Sequence, residues 1–300
     1  MKRICVPLTA RPHFARLKLF IEELKKYFEV DIFQPIKSGK GMSISAILMS
    51  VEFNNFLSNK NYDAVIIRGD RYEMLGLAMC SLYNNIKIIH IEGGDLSGVI
   101  DNKIRHAITQ LADYHFVTNE QSFRNLVNMG VSITRIWNFG SLDVEFANKV
   151  KSKKIIKEPY ILVAYHGIEN EDINEIEIAL KSFNKYRIIR IKGNNDYDKS
   201  FGNEEYPPED YINMIRYASC YVGNSSSLIK EASILGVSSV NIGDRQQNRL
   251  KPSNILDVPC KARKIELGIE YQLKNKSIKD YTYYKKNTSI NIVKKLKQIL

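Results

Sequence analysis

A chain of 300 residues, 44% hydrophobic and 26% charged, can build two medium domains with full cores and has an ordinary soluble composition. No stretch approaches the roughly 18 uninterrupted apolar residues of a membrane span, and "MKRICVPLTA" runs into "RPHFARLK" without the grammar of a secretion signal. The four cysteines, Cys5, Cys80, Cys220 and Cys260, are far apart and lack CxxC spacing, and only five histidines accompany them. Neither a zinc site nor a disulfide framework is indicated, so no metal is expected and a reducing cytoplasm is the expected location. The net charge of +11 would suit nucleic acid, anionic membrane or phosphorylated metabolites. The lysines are scattered, however, thickening only at "KVKSKKIIK" and "VKKLKQIL", and they read as solvated faces.

In chain order, "RICVPL" reads as a strand, and Phe14, Leu17, Ile21, Leu24 and Phe28 then form one apolar helix face. The strands "VDIF", "DAVIIRGD", "KIIHIEGG", "YHFVTN" and "RIWNFG" follow, with helical stretches between most of them. Continuous apolar runs alternating with helices indicate a parallel sheet covered on both faces. The pattern lapses over "LDVEFANKVKSKKIIK" and restarts with the strand "PYILVAYH" and the helix "NEDINEIEIALKSF", whose first turn is acidic. The strand "YRIIRIKG", the helix "PPEDYINMIRYAS", the strand–loop–helix "CYVGNSSSLIKEASILG" and the strand "SSVNIG" complete it. The expected fold class is therefore α/β, two Rossmann-like domains facing a cleft, over residues 1–150 and 151–300, with the C-terminal helix free to pack back on the first. Neither an internal repeat nor a low-complexity tract is present.

In open parallel sheets the ligand site lies beyond the carboxyl ends of the strands. Asp70 ends "DAVIIRGD", Glu92 ends "KIIHIEGG", Arg11 follows "RICVPLTA" and His166 ends "YILVAYH". Asp101 and Arg105, four residues apart at the start of the next helix, share a face. Taken singly, Asp70 and Asp101 read as helix caps and His166 as a satisfied loop histidine. Three acids, an arginine and a histidine at the strand ends of one fold weigh against that reading.

"GNSSSLIKEA" (223–232) is a second constellation: a glycine turn, three serines and a helix make an anion site from N–H groups, hydroxyls and a helix dipole. Glu231 could accept from the vicinal hydroxyls of a ribose; a plain serine N-cap weighs equally. Arg245 and Arg249 in "IGDRQQNRL" suit phosphate, or are ordinary loop charges. The absence of GxGxxG, GxxxxGK[ST] and GxSxG disfavours NAD, P-loop and serine-hydrolase chemistry. The run "YTYYKK" (281–286) reads as the lead-in to a helix rather than a stacking platform.

With these residues in view, the chain resembles the UDP-N-acetylglucosamine 2-epimerase family, specifically its hydrolysing branch. The resemblance rests on "GDRYEMLGLA" (69–78), "HIEGGDLSGVIDNKIRHAITQLADYHFVTNE" (90–120), "VAYH" (163–166) and "VGNSSSLIKEASILGVSSVNIGDRQQNRL" (222–250). It implies the two-domain glycosyltransferase-B architecture, a UDP-sugar in the cleft, no cofactor, a homo-oligomer (dimer or tetramer), and sialic-acid-type precursor synthesis. Hydrolysing members carry GDR with an acid close behind, here Gly69-Asp70-Arg71 and Glu73. By the resemblance Asp70, Glu92 and Asp101 are the catalytic carboxylates and His166 the active-site histidine. Arg11 meets the diphosphate, Ser225 and Ser226 hold phosphate, Glu231 holds the ribose, Tyr211 frames the nucleotide, and Arg249 is a looser match.

Three departures stand out. Asp95 replaces a glutamate, Asn102 replaces an acid, and the segments between residues 34 and 62 and after His166 are short. The expected reaction is release of UDP and N-acetylmannosamine by anti elimination to a 2-acetamidoglucal followed by hydration, with a UDP-2,4-diacetamido-trideoxyhexose as the alternative substrate. The C2 proton of a UDP-HexNAc is not acidic, so departure of UDP must run ahead of its loss, and inversion at C2 needs proton-handling groups on both faces. The carboxylates were expected to tune one another by mutual repulsion. A glycosyltransferase on the same architecture would use the serine loop but has no use for "GDRYE" with "IEGGD". A nucleic-acid-binding protein would use the charge, but the strand-end acids would repel a phosphate backbone.

Overall fold

The computed structural model describes residues 1–9, 11–35, 41–168, 171–192, 201–275 and 278–300, with backbone alone over residues 11–15. The first half runs β1 (Arg3–Pro7), α1 (Arg11–Leu24), β2 (Glu29–Phe33), α2 (Met42–Leu57), β3 (Ala64–Arg68), α3 (Met74–Tyr83), β4 (Lys87–Ile91), α4 (Asp101–Leu111), β5 (Tyr114–Val117), α5 (Glu120–Asn128), β6 (Ile136–Asn138) and α6 (Leu142–Lys149). The second half continues with β7 (Tyr160–Ala164), α7 (Ile173–Leu180), β8 (Arg187–Arg190), α8 (Pro208–Arg216), β9 (Cys220–Gly223), α9 (Ser226–Ile229), α10 (Glu231–Leu235), β10 (Ser239–Ile242), β11 (Ile255–Val258), α11 (Ala262–Lys274) and α12 (Thr288–Ile299).

The strands form two separate sheets, ordered β2-β1-β3-β4-β5-β6 and β11-β10-β9-β7-β8, and all their pairings are parallel. The chain is thus an α/β protein with two parallel sheets. In each sheet the first strand of its half lies between the second and the third, so the strand order reverses there. Ligands of doubly wound sheets bind outside the carboxyl ends at this reversal. In the first sheet it lies between β1 and β3, and in the second between β7 and β9.

Alternation along the buried strands covers both faces of the first sheet. Ile4, Val6 and Ile66 pack against Leu17, Phe20 and Leu24 of α1, while Cys5, Val65 and Ile67 pack against Phe53, Leu77 and Ile108 of the opposite helices. In the second sheet Ile161, Val163 and Val240 meet Ile176 and Ala179 of α7 and Ile265 and Ile269 of α11. Among the described residues no helix is long and apolar enough to cross a membrane.

The chain divides into two compact units, Met1–Glu145 with Tyr284–Leu300, and Phe146–Tyr283. The stretch where periodicity lapses forms α6, with Asp143 and Glu145 in its first turn and Lys149 in its last, as the helix dipole favours. The division falls inside that helix. Strand β11 has partly exposed residues and no clear alternation, which hid it in the sequence. Phe28 continues the apolar spacing of α1 but lies beyond the helix, buried in the turn to β2.

Helix α12 belongs to the first unit because its apolar stripe, Ile292, Val293 and Leu296, completes the cluster around Phe20 and Leu24. Buried Glu145 fastens its start, accepting from the Ser289 amide at 2.9 Å and from the Ser289 hydroxyl. Leu296→Ala should therefore lower the unfolding free energy by about 2–5 kcal/mol, the usual cost of a large-to-small change in a closed core. Urea denaturation measures this, and a loss of only about 0.5 kcal/mol, typical of a surface position, would mean that α12 is not part of this core.

Candidate active site

Three segments meet at the carboxyl edge of the first sheet. Strand β3 turns at Gly69 (φ +73°), whose amide still bonds the Ile91 carbonyl at 2.9 Å, and Asp70 follows with its carboxylate about a quarter exposed. Glu92 directly follows β4 and stands at φ +67°, a left-handed conformation uncommon for a non-glycine residue. Its amide continues the ladder to the Phe116 carbonyl at 2.9 Å, so the strand pairing itself holds the unfavourable backbone. Gly94 lets the chain leave: at φ +82°, a Cβ there would strike the backbone of Ser122. Asp101 is the first residue of α4 and half-buried; the N-cap is Ile100, and that of α3 is Glu73, so neither Asp101 nor Asp70 caps its helix.

Asp70 and Glu92 each face a cation. Arg105, 1% exposed, sends Nη2 to the Asp70 carboxylate, and its Nη1 to the Asp95 carbonyl at 2.6 Å and Asn102 Oδ1 at 3.0 Å. Glu92, 8% exposed, accepts from Arg68 Nη2 at 3.3 Å on each oxygen and from the Ser141 hydroxyl at 3.1 Å. A buried guanidinium thus faces each of these two acids. Beneath them His90 Nε2 donates to the Gly69 carbonyl at 3.0 Å while Nδ1 accepts from the Thr109 hydroxyl at 3.2 Å, which anchors the turn before Asp70.

In the second unit His166 follows β7 and the serine loop follows β9, the two strands that flank the order reversal. Asn224, fully buried, ties them: Oδ1 accepts from the His166 amide and Nδ2 donates to the His166 carbonyl, both at 2.8 Å. Gly223 permits this approach, since at φ +141° a Cβ would collide with the Ala164 backbone. Ser225 caps α9, and Ser226 opens it. Helix α9 spans four residues and breaks at Lys230, so little macrodipole develops at the serine loop. Glu231 opens α10 and is buried. Tyr211, from α8, bonds the Tyr221 hydroxyl at 2.7 Å and the Ser227 hydroxyl at 2.9 Å, and Ser227 in turn meets Ser225 at 2.9 Å. Tyr211 therefore buttresses the serine loop. Arg249 lies in the turn after β10, while Arg245 and Gln246 donate to the Asn224 carbonyl at 3.0 and 2.7 Å. The side chain of Arg11, at the start of α1, lies outside the described residues.

The family profile described as UDP-N-acetylglucosamine 2-epimerase matches residues 13–297. The chain belongs to the UDP-N-acetylglucosamine 2-epimerase family. It is 32% identical over 296 residues to the polysialic acid biosynthesis protein P7 of Escherichia coli, covering 86% of this chain and 75% of that protein. It is also 32% identical over 278 residues to the GDP/UDP-N,N'-diacetylbacillosamine 2-epimerase (hydrolyzing) of Campylobacter jejuni, covering 80% and 72%. Its fold matches the crystal structure of the UDP-GlcNAc 2-epimerase from Neisseria meningitidis bound to UDP-GlcNAc, with a TM-score of 0.85 at 16% identity over 99% of this chain and 100% of that one. The fold is thus the glycosyltransferase-B-like one of these epimerases.

Within this epimerase fold, the departures at Asp95 and Asn102 have structural explanations. Asp95 is buried and accepts from the Ser122 hydroxyl at 2.6 Å, with Thr118 and Asn119 at 3.4 Å, binding the β4–α4 loop to the start of α5. Asn102 accepts from the Ser97 amide at 3.1 Å as well as from Arg105, so it fixes the loop that holds Arg105. Both side chains thus fasten the loop after β4. Glu73, the acid behind GDR, is fully buried and accepts from Arg71 Nε at 2.7 Å, fixing that arginine beside Asp70. Residues 36–40 and 169–170, in the shortened segments, lie outside the described residues.

Sequence reasoning passed over Arg68, Asp143, Ser141 and Asn224. A signal existed for Arg68: a charge inside the buried run "AVIIR" must have a partner, because arginine is almost never buried alone. Asp143 lies in the stretch where the periodicity lapses, and Ser141 stands just before it.

Burial pushes His90 down to about 4, and pushes His115 down to about 3 with help from the charges of His90 and Arg135. Both lie below the unfolded value of about 6.5, so the unfolded chain takes up protons first as pH falls. Stability should be fully present above about pH 6.5 and drop below it by about 1.4 kcal/mol per pH unit for each histidine that stays neutral in the fold. Urea unfolding at pH 7, 6 and 5 tests this, and a flat profile would show that the folded protein protonates both rings.

Proposed function

We propose that the protein is a hydrolysing UDP-N-acetylglucosamine 2-epimerase that releases UDP and N-acetylmannosamine. The observation that carries this reading is the set of Asp70, Glu92 and Asp101 at the strand ends and helix start beside the first sheet's order reversal, two of them held by buried arginines. In the elimination step the C1–O bond to UDP breaks, the electron pair leaves with the diphosphate, and a carboxylate takes the C2 proton, giving a 2-acetamidoglucal. Water then adds its hydroxyl at C1 while a proton returns to C2 from the opposite face. The sum is UDP-sugar plus water to UDP plus the epimerised free sugar.

Asp70, Glu92 and Asp101 handle protons in this reading, each contributing about 10²–10⁴-fold. Arg11, His166, Ser225 and Ser226 receive the departing diphosphate through positive charge and N–H or O–H donors. Glu231 takes the ribose hydroxyls, and Arg249 supplements the phosphate charge. Tyr211 acts through Ser227 to hold the serine loop in shape. The Campylobacter relative's name favours a second substrate for the same chemistry, a UDP-2,4-diacetamido-trideoxyhexose.

The experiment is proton NMR of the protein with UDP-N-acetylglucosamine in D₂O. Free UDP and N-acetylmannosamine deuterated at C2 are expected. Glu92→Gln and Asp101→Asn should each lower turnover by at least about 10²-fold while leaving UDP affinity close to wild type. A wild-type rate in either variant overturns the role of that residue. Intact UDP-N-acetylglucosamine with turnover of the diacetamido analogue selects the second substrate, and no UDP from either sugar overturns the function. UDP release that requires an added sugar acceptor would make the protein a glycosyltransferase instead.

A further inference from the structure

Arg68 is the last residue of β3, 7% exposed, and among the described residues every hydrogen bond of its guanidinium goes to Glu92 or Asp143. Nη2 lies 3.3 Å from each Glu92 oxygen and 2.5 Å from Asp143 Oδ2. Asp143, in the first turn of α6, also faces Arg16 Nη1 of α1 at 3.8 Å. Among the described residues the cluster around Glu92 brings together Arg68, Arg16 and Asp143, with the Ser141 hydroxyl on Glu92 Oε1. His90, two residues back on β4 and buried, feels the Glu92 charge; the side chains of residues 11–15 on α1 lie outside the described residues.

From this geometry we infer that Arg68 and Asp143 are opposed positioning residues for Glu92: Arg68 holds it as the carboxylate that can take a proton, and Asp143 draws on the same guanidinium and keeps that carboxylate basic. Arg68 acting alone at this depth would make Glu92 a feeble base, because opposite charge at such range favours the ionised form strongly. Asp143 acting alone would force one of two neighbouring buried carboxylates to stay protonated. One nitrogen, Nη2, serves both carboxylates, so its charge is shared between them, and Glu92 is aligned by two contacts of 3.3 Å. The left-handed backbone of Glu92 lies at the same strand end at which its carboxylate meets Arg68. This inference rests on the reading of Glu92 as a proton-transfer group.

The test is the pH dependence of kcat/KM for UDP release, whose acid limb reports the essential base of the free enzyme. Arg68→Met should move that limb up by about 1–3 pH units, and Asp143→Asn, nearly isosteric and therefore able to fold, should move it down. Arg68→Lys keeps the charge and should hold the limb near its wild-type position at reduced kcat. Residues with a merely structural role would lower rate or Tm without shifting the limb in opposite directions. Limbs that stay put in Asp143→Asn, or move the same way in both charge-removing variants, overturn the inference while Glu92→Gln remains inactive. If Glu92→Gln is itself active, the failure belongs to the role proposed for Glu92.

Discussion

A guanidinium buried from water has to be matched by carboxylate or carbonyl oxygens, because the desolvation of an unpaired charge would exceed the whole stability of a domain. The carboxyl edge of the first sheet is organised around that requirement. Arg105 draws together Asp70 from the end of β3, the Asp95 carbonyl from the loop after β4, and Asn102 from its own helix. Arg68 does the same for Glu92 and Asp143. Each arginine thereby turns a loop end into a fixed position, and the acids proposed for catalysis are also the acids that the fold needs to bury its cations. Broken pairs of this kind cost far more than intact ones contribute, so site geometry and fold stability are coupled here.

The second unit solves its positioning problem with neutral groups. Asn224 offers one donor and one acceptor, and His166 presents one of each from its backbone, so a single buried amide joins the ends of β7 and β9. The linked hydroxyls of Tyr211, Tyr221, Ser225 and Ser227 set the shape of the serine loop. That suits the diphosphate-binding role proposed for this loop, since hydroxyls and amides can donate to an anion.

Much of the architecture was legible because the strands are buried on both faces and so read as continuous apolar runs, while α1 shows its stripe at helical spacing. Asp70, Glu92, His166 and the serine loop were legible for a related reason: polar residues that close such runs fall at strand ends, where parallel sheets bind ligands. Strand β11 escaped because an exposed edge strand carries little pattern. Helix α6 escaped because its buried face is completed by α12, some 140 residues later in the chain.

From the sequence alone follow the parallel α/β class, the order of strands and helices, and the residues at their ends, since these depend on local periodicity and composition. Tertiary structure decided which partner each charge found. Arg68 meets Asp143 across 75 residues and Arg105 meets Asp70 across 35, distances over which no pattern in the chain carries information. It also decided that Asp95 and Asn102 fasten a loop, and that Glu92 takes a left-handed backbone. The reason is the same in each case: pairing of buried charges is a property of which strand ends become neighbours, and neighbours are fixed by the order of strands in the sheet.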